Sequence, residues 1–184
     1  LLMLPIITRL MPDTFYFGLN DISTTIVSFG SAIAVLGMYD AMFRLFFDRE
    51  DEDYRKMICS TTLAFTMGLS ILVFCILIFF KETWAQIFFA DRKYTNLLVL
   101  SAMSILIGAT NSIVSAPTRM RNQRKVFLVT NTLSPIISYA ISIPLLVKGM
   151  YIVALPLAAV ISALTIEIIF AVLNHGWFSI KRID

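Results

Sequence analysis

Apolar runs alternate along this chain with short charged or turn-forming stretches. Runs over residues 21–43, 57–80, 97–117, 126–147 and 151–173 each reach the ~20 residues a helix needs to cross ~30 Å of hydrocarbon at about 1.5 Å per residue. Residues 1–10, LLMLPIITRL, are as apolar but half as long, and read as the outer half of a first helix whose beginning is missing. Pro12, Asp13 and Gly18 supply turn chemistry before the next run. The pattern predicts an all-α, polytopic membrane helix bundle with one partial and five full spans. It forms a single membrane domain over residues 1–184 and is expected to be a piece of a longer chain.

The longest polar interruption lies between residues 36 and 61, where Arg44, Arg49, Arg55 and Lys56 mix with five acidic residues between Asp48 and Asp53. Only Lys and Arg bear on orientation, and four of them in one short loop place it on the cytoplasmic side. Alternation then sends the Arg119–Lys125 loop, RMRNQRK, to the same side together with Lys181 and Arg182. Ten of the fifteen Lys and Arg thus face inward, and Arg9, Lys81, Arg92, Lys93 and Lys148 face outward. Residues 81–96, with Trp84, Phe88, Phe89 and Tyr94 among charges, read as an amphipathic segment in the outer interface.

Within the spans, small residues recur at helical spacing. Gly30, Ala34, Gly37 and Ala41 form one such set, Ser60, Ala64 and Gly68 a second, and Ser101, Ser104, Gly108, Ser112 and Ser115 a third. Such stripes let helices approach closely where lipid offers no hydrophobic drive. The run 126–147 is the least apolar: Asn131, Ser134, Ser138 and Ser142 share one face, and Pro135 and Pro144 interrupt it. A polar face costs free energy against lipid, so this one is expected to turn toward other helices or a water-filled cavity.

Composition agrees with a membrane class: 58% of the 184 residues are apolar, against ~45–50% in soluble domains, and the mean hydropathy is +0.83. The net charge of +3 comes from cations at span ends, which topology and anionic lipid explain without nucleic acid. Cys59 and Cys75 fall on one predicted helix, roughly 24 Å apart at helical rise, and do not pair. The acidic run 48–53 lacks the alternating ligands and glycine of a calcium loop, and His175 has no companion at ligand spacing. No phosphate loop, catalytic triad or zinc pattern occurs, so no cofactor, no metal and no enzyme activity is expected.

Four charges stand in or beside spans. Arg9 at the outer end of the partial helix reads either as a cation snorkelling to water or as a positive charge lining a cavity for an anionic substrate. Asp40 and Arg44, four apart on one helix, read as an intrahelical ion pair or as gate charges. Glu167, the acid inside the last span, reads as a proton or cation site or as the partner of a basic residue.

The order Leu4-Pro5, Thr8-Arg9, Pro12, Tyr16 and Gly18, then Leu36-Gly37 with Arg44, an acid-rich loop, Ser60-Thr61, and NQRKVF at Asn122 to Phe127 resembles the Wzx-type O-antigen and polysaccharide flippases. Their superfamily also holds the lipid II flippases and the multidrug and toxin exporters. The resemblance implies the first six-helix lobe of a two-lobe flippase fold in the bacterial inner membrane. It implies as substrate a polyprenyl-pyrophosphate-linked oligosaccharide moved from inner to outer leaflet, with membrane lipids and other glycan-assembly proteins as partners. It turns Arg9 toward the cavity. From their own polarity and placement, Asn131, Ser134, Ser138 and Ser142 are expected to face that cavity as further substrate contacts, and Asp40, Arg44 and Glu167 to serve in gating or ion coupling. The rivals are a multidrug or cation antiporter of the same superfamily, a non-transporting scaffold of glycan assembly, and a membrane glycan polymerase, against which the short outer loops argue.

Overall fold

The computed structural model describes residues 4–178, with side chains from residue 6. They form nine α-helices and two 3-10 turns, with no strand among them. Helix α1 is Leu4–Leu10. Asp13 caps α2, Thr14–Val35, by accepting from the Phe15 N–H at 3.1 Å. The turn signal at Pro12 and Asp13 is therefore the start of the helix itself, seven residues ahead of the apolar run, and Gly18 lies inside α2 with open space around it.

The continuous span expected over 21–43 is bent. Leu36 and Gly37 adopt positive φ, 46° and 72°, which breaks the hydrogen-bond ladder, and α3, Met38–Phe46, leaves α2 at 46°. Helix α3 buries Met42 and Phe46 and exposes Asp40 and Arg44, the division expected of a helix lying at an interface. Of the small residues expected to permit close approach, Gly30 and Ala34 do so, whereas Gly37 serves the turn and Ala41 is exposed.

Helix α4, Glu52–Phe79, is capped by Asp51 and opens with a Glu52–Lys56 ion pair. The expected amphipathic segment is α5, Lys81–Phe89, followed by a 3-10 turn at Arg92–Tyr94. Helices α6, Thr95–Val114, and α7, Ala116–Met120, follow. Helix α8, Arg124–Val147, runs through Pro135 and Pro144 where an interruption was expected. Membrane helices tolerate proline when neighbouring groups satisfy the freed carbonyls. Gly149, at φ 81°, ends α8: its N–H donates to the Leu146 carbonyl and that of Met150 to Leu145, at 2.9 and 3.1 Å. This paired closure is a Schellman turn. Helix α9 is Ala154–Leu173. Among the described residues four helices are long and apolar enough to cross a membrane, and five spans result when the bent α2–α3 pair is counted as one; the chain is a multi-pass membrane protein.

Helix α6 is the hub, packed on α2, α4 and α9, while α8 packs chiefly on α9. A side chain at Gly30 would collide with Ile105, so the absence of a Cβ sets how closely α2 meets α6. In the same seam, about two turns earlier on α2, the Ser23 and Ser101 hydroxyls meet at 2.7 Å. Asn174, fully buried, ties the end of α9 to α6 and α7 by donating to the Val114 carbonyl at 2.9 Å and to the Thr118 hydroxyl at 2.8 Å. The two basic loops meet at this end of the bundle. Lys56 and Arg121 both stand over the Trp177 ring, at 5.9 and 5.3 Å, and Arg119 lies between Tyr39 and Phe127.

Candidate functional site

Polar side chains inside an apolar bundle need partners, and those of α8 take them from their own backbone. Thr130, Asn131 and Thr132 each donate to the carbonyl four residues earlier, at 2.8 Å, which satisfies the donor without a second helix. The stripe predicted along α8 divides. Ser134 is half-buried against α9: its hydroxyl is 3.1 Å from that of Ser162, which in turn donates to the Ser134 carbonyl at 2.6 Å. Ser142 is buried and Ser138 half-buried, whereas Asn131 is exposed. Proline at 135 carries no N–H, so the Asn131 carbonyl lacks its helical donor as well. Asn131 thus offers two acceptors on one exposed turn.

Arg9 is exposed in the last turn of α1. Ile7 packs with Met11, Leu146 and Ala154, and Arg9, two residues on, sits about 200° round the helix from Ile7. It therefore points away from the α8–α9 turn. Arg9 shares an end of the bundle with Ser142. Asn131 lies toward the other end, fifteen residues before Leu146 on α8, or roughly 22 Å at helical rise. The structure does not bring these predicted residues into one cluster.

Asp40 and Arg44 are both exposed on α3 at the basic end, and no ion pair joins them among the described residues. The intrahelical pair expected from their spacing does not form. An exposed pair of this kind contributes only about 0.3–0.5 kcal/mol, too little to hold two long side chains in one geometry.

Glu167 is half-buried on α9, within hydrogen-bond reach of Thr110 on α6. On the same helix the Ser31 hydroxyl of α2 stands 3.5 Å from where a Cβ on Gly108 would lie. Gly108 and Thr110 are two residues apart, so Ser31 and Glu167 flank α6 at nearly one depth. On α6 beside Thr110 in the chain, the Asn111 side-chain oxygen is buried without a partner. This polar belt across α2, α6 and α9 was missed in the sequence. Its signal was present in Asn20, Thr24, Ser28 and Ser31, spaced four, four and three along α2, but the apolar residues around them and the Gly30–Ala34 pair hid it.

A cavity of about 650 Å³ lies elsewhere, among α2, α4 and α5, and is lined mostly by apolar side chains such as Ile22, Phe29, Val73 and Ile76. Its polar lining residues are Asp21, Thr25 and Trp84. The sequence profile of a family described as polysaccharide biosynthesis protein matches residues 6–181. No curated protein matches the chain, and no solved structure does.

Proposed function

Since the chain belongs to the polysaccharide biosynthesis protein family, we propose that it forms the first lobe of a carrier in the bacterial inner membrane. The carrier moves a polyprenyl-pyrophosphate-linked oligosaccharide from the inner to the outer leaflet. The observation that supports this reading is the exposed polar turn of α8 at Asn131 and Thr132, on a helix that the rest of the bundle leaves largely uncovered. A sugar and a pyrophosphate do not cross hydrocarbon unaided, so a carrier must offer the head a polar wall while the lipid tail stays in the bilayer. Rocking of this lobe against a second one exposes the head to each side in turn. No covalent bond of the substrate is made or broken.

In this reading Arg9 holds the pyrophosphate, because a guanidinium presents a planar fork of donors that an ammonium lacks. Asn131 and Ser138 meet sugar hydroxyls, and Ser134 and Ser142 support that face. Asp40 and Arg44 act as gate charges at the basic end, and Glu167 takes part in ion coupling. The half-buried Glu167 beside Thr110 also favours the second reading, a cation or drug antiporter of the same superfamily.

The test is delivery of lipid-linked oligosaccharide to the outer leaflet in cells carrying the full-length gene, with membrane levels matched. Arg9→Lys should deliver less than wild type and Arg9→Ala less still. Full delivery by Arg9→Ala would make Arg9 an interfacial anchor. Loss of drug resistance with intact glycan delivery would favour the antiporter.

A further inference from the structure

At the end of the bundle opposite the basic loops, three tyrosines surround one cavity of about 430 Å³. Tyr16 comes from the start of α2, Tyr94 from the 3-10 turn before α6, and Tyr151 from the turn before α9. Sequence-distant segments therefore converge here, and Lys93 and Asn96 complete the wall. The Tyr16 and Tyr151 rings lie 5.3 Å apart at 43°, and Tyr94 is buried beneath the site. Among the described residues, neither the Tyr16 nor the Tyr151 hydroxyl has a protein hydrogen-bond partner. Lys93 is held in place by Asp91, 3.1 Å away, and stands 4.9 Å over the Tyr94 ring.

Resting on the glycan-carrier reading above, we infer that this cavity is a carbohydrate-binding subsite that receives one or two sugar rings of the substrate at the outer end of the lobe. Tyrosine is apolar on its ring face and polar at its tip, which matches a pyranose, with a C–H face and a rim of hydroxyls. Asn96 adds a donor and an acceptor in one planar group, and Lys93 adds donors. The volume falls within the ~300–1,000 Å³ of small-molecule sites. Tyrosines that merely anchor a protein in the interface have no need to converge on a shared cavity with a polar rim, nor to come from three separate segments.

The test is saturation-transfer NMR on the full-length protein in lipid nanodiscs, with N-acetylglucosamine and lactose as separate probes. Neither carries a lipid or a phosphate, so the signal reports on the sugar alone. Wild type should transfer saturation well above empty nanodiscs. Tyr16→Leu and Tyr151→Leu should lower the transfer at least threefold, with Tyr151→Phe intermediate because it keeps the ring and loses the hydroxyl. Asn96→Ala, an exposed change that leaves packing intact, should also lower it. No transfer from wild type, or equal transfer from Tyr151→Leu and Asn96→Ala, would overturn the subsite. Outer-leaflet delivery, measured separately, would still decide the carrier reading: delivery without sugar transfer removes the subsite alone, and absence of delivery removes the parent reading.

Discussion

Helices α6 and α8 carry the same device and use it in opposite ways. Each has a stripe of serines and small residues at helical spacing, yet the span through α6 is largely buried and α8 is largely exposed. On α6 the stripe is spent on neighbours: Ser101 meets Ser23, and Gly108 faces Ser31. On α8 Ser134 alone reaches a hydroxyl on another helix, while Asn131 turns to its own backbone and remains exposed. A small polar stripe therefore marks a face that avoids lipid, without saying whether a helix or a solute covers it. The covered face should respond to substitution through stability, and the uncovered one through transport.

The largest effect is expected at the α2–α6 seam. Gly30→Val forces a branched side chain into Ile105, and overpacking of this kind costs about 1–3 kcal/mol. Unfolding of the purified protein in detergent should show it, and Ile105→Ala should restore part of the loss in the double variant. If Gly30→Val were neutral, α6 would not be the tightly packed hub described here.

Next comes Asn174→Ala, which removes donors to the Val114 carbonyl and the Thr118 hydroxyl in a buried corner. Leaving such groups unpaired costs about 1–3 kcal/mol, again read from detergent unfolding. Gly37→Ala is expected to cost about 1–2 kcal/mol, because φ of 72° is unfavourable for a residue with a Cβ. Its unfolding midpoint should fall without a change in the α2–α6 seam, as reported by crosslinking cysteines placed at Ser23 and Ser101. The smallest effect belongs to α8: Ser134→Ala breaks one interhelical hydroxyl contact, and such contacts in membranes contribute about 0.6 kcal/mol.

Much of this architecture was legible in the sequence, because length and apolarity alone locate membrane spans. The run 126–147 falls within α8, and the run 57–80 lies within α4 except for its last residue, the C-cap Phe80. The bend at Leu36–Gly37 was hidden because Gly37 fits a small-residue stripe as well as it fits a positive φ. The cap at Asp13 was read as a turn since the same residue types serve both. The site was harder to see. Periodicity gives the face of a helix but not its neighbour, so the α8 stripe was visible while its division between α9 and open surface was not. Asp40 and Arg44 had pairing spacing, but their exposure removes the incentive to pair. The tyrosine cavity depends on three turns meeting, which no local pattern encodes.

The claim that the open face of α8 meets substrate rests most directly on Asn131. Asn131→Leu should leave membrane abundance and the unfolding midpoint close to wild type, since the side chain is exposed and bonded only to its own helix. The decisive measurement is the amount of lipid-linked oligosaccharide delivered to the outer leaflet per molecule of full-length protein. The account predicts a loss of at least several-fold for Asn131→Leu. Undiminished delivery per molecule, with or without a fall in abundance, would contradict it and make the α8 stripe a packing surface.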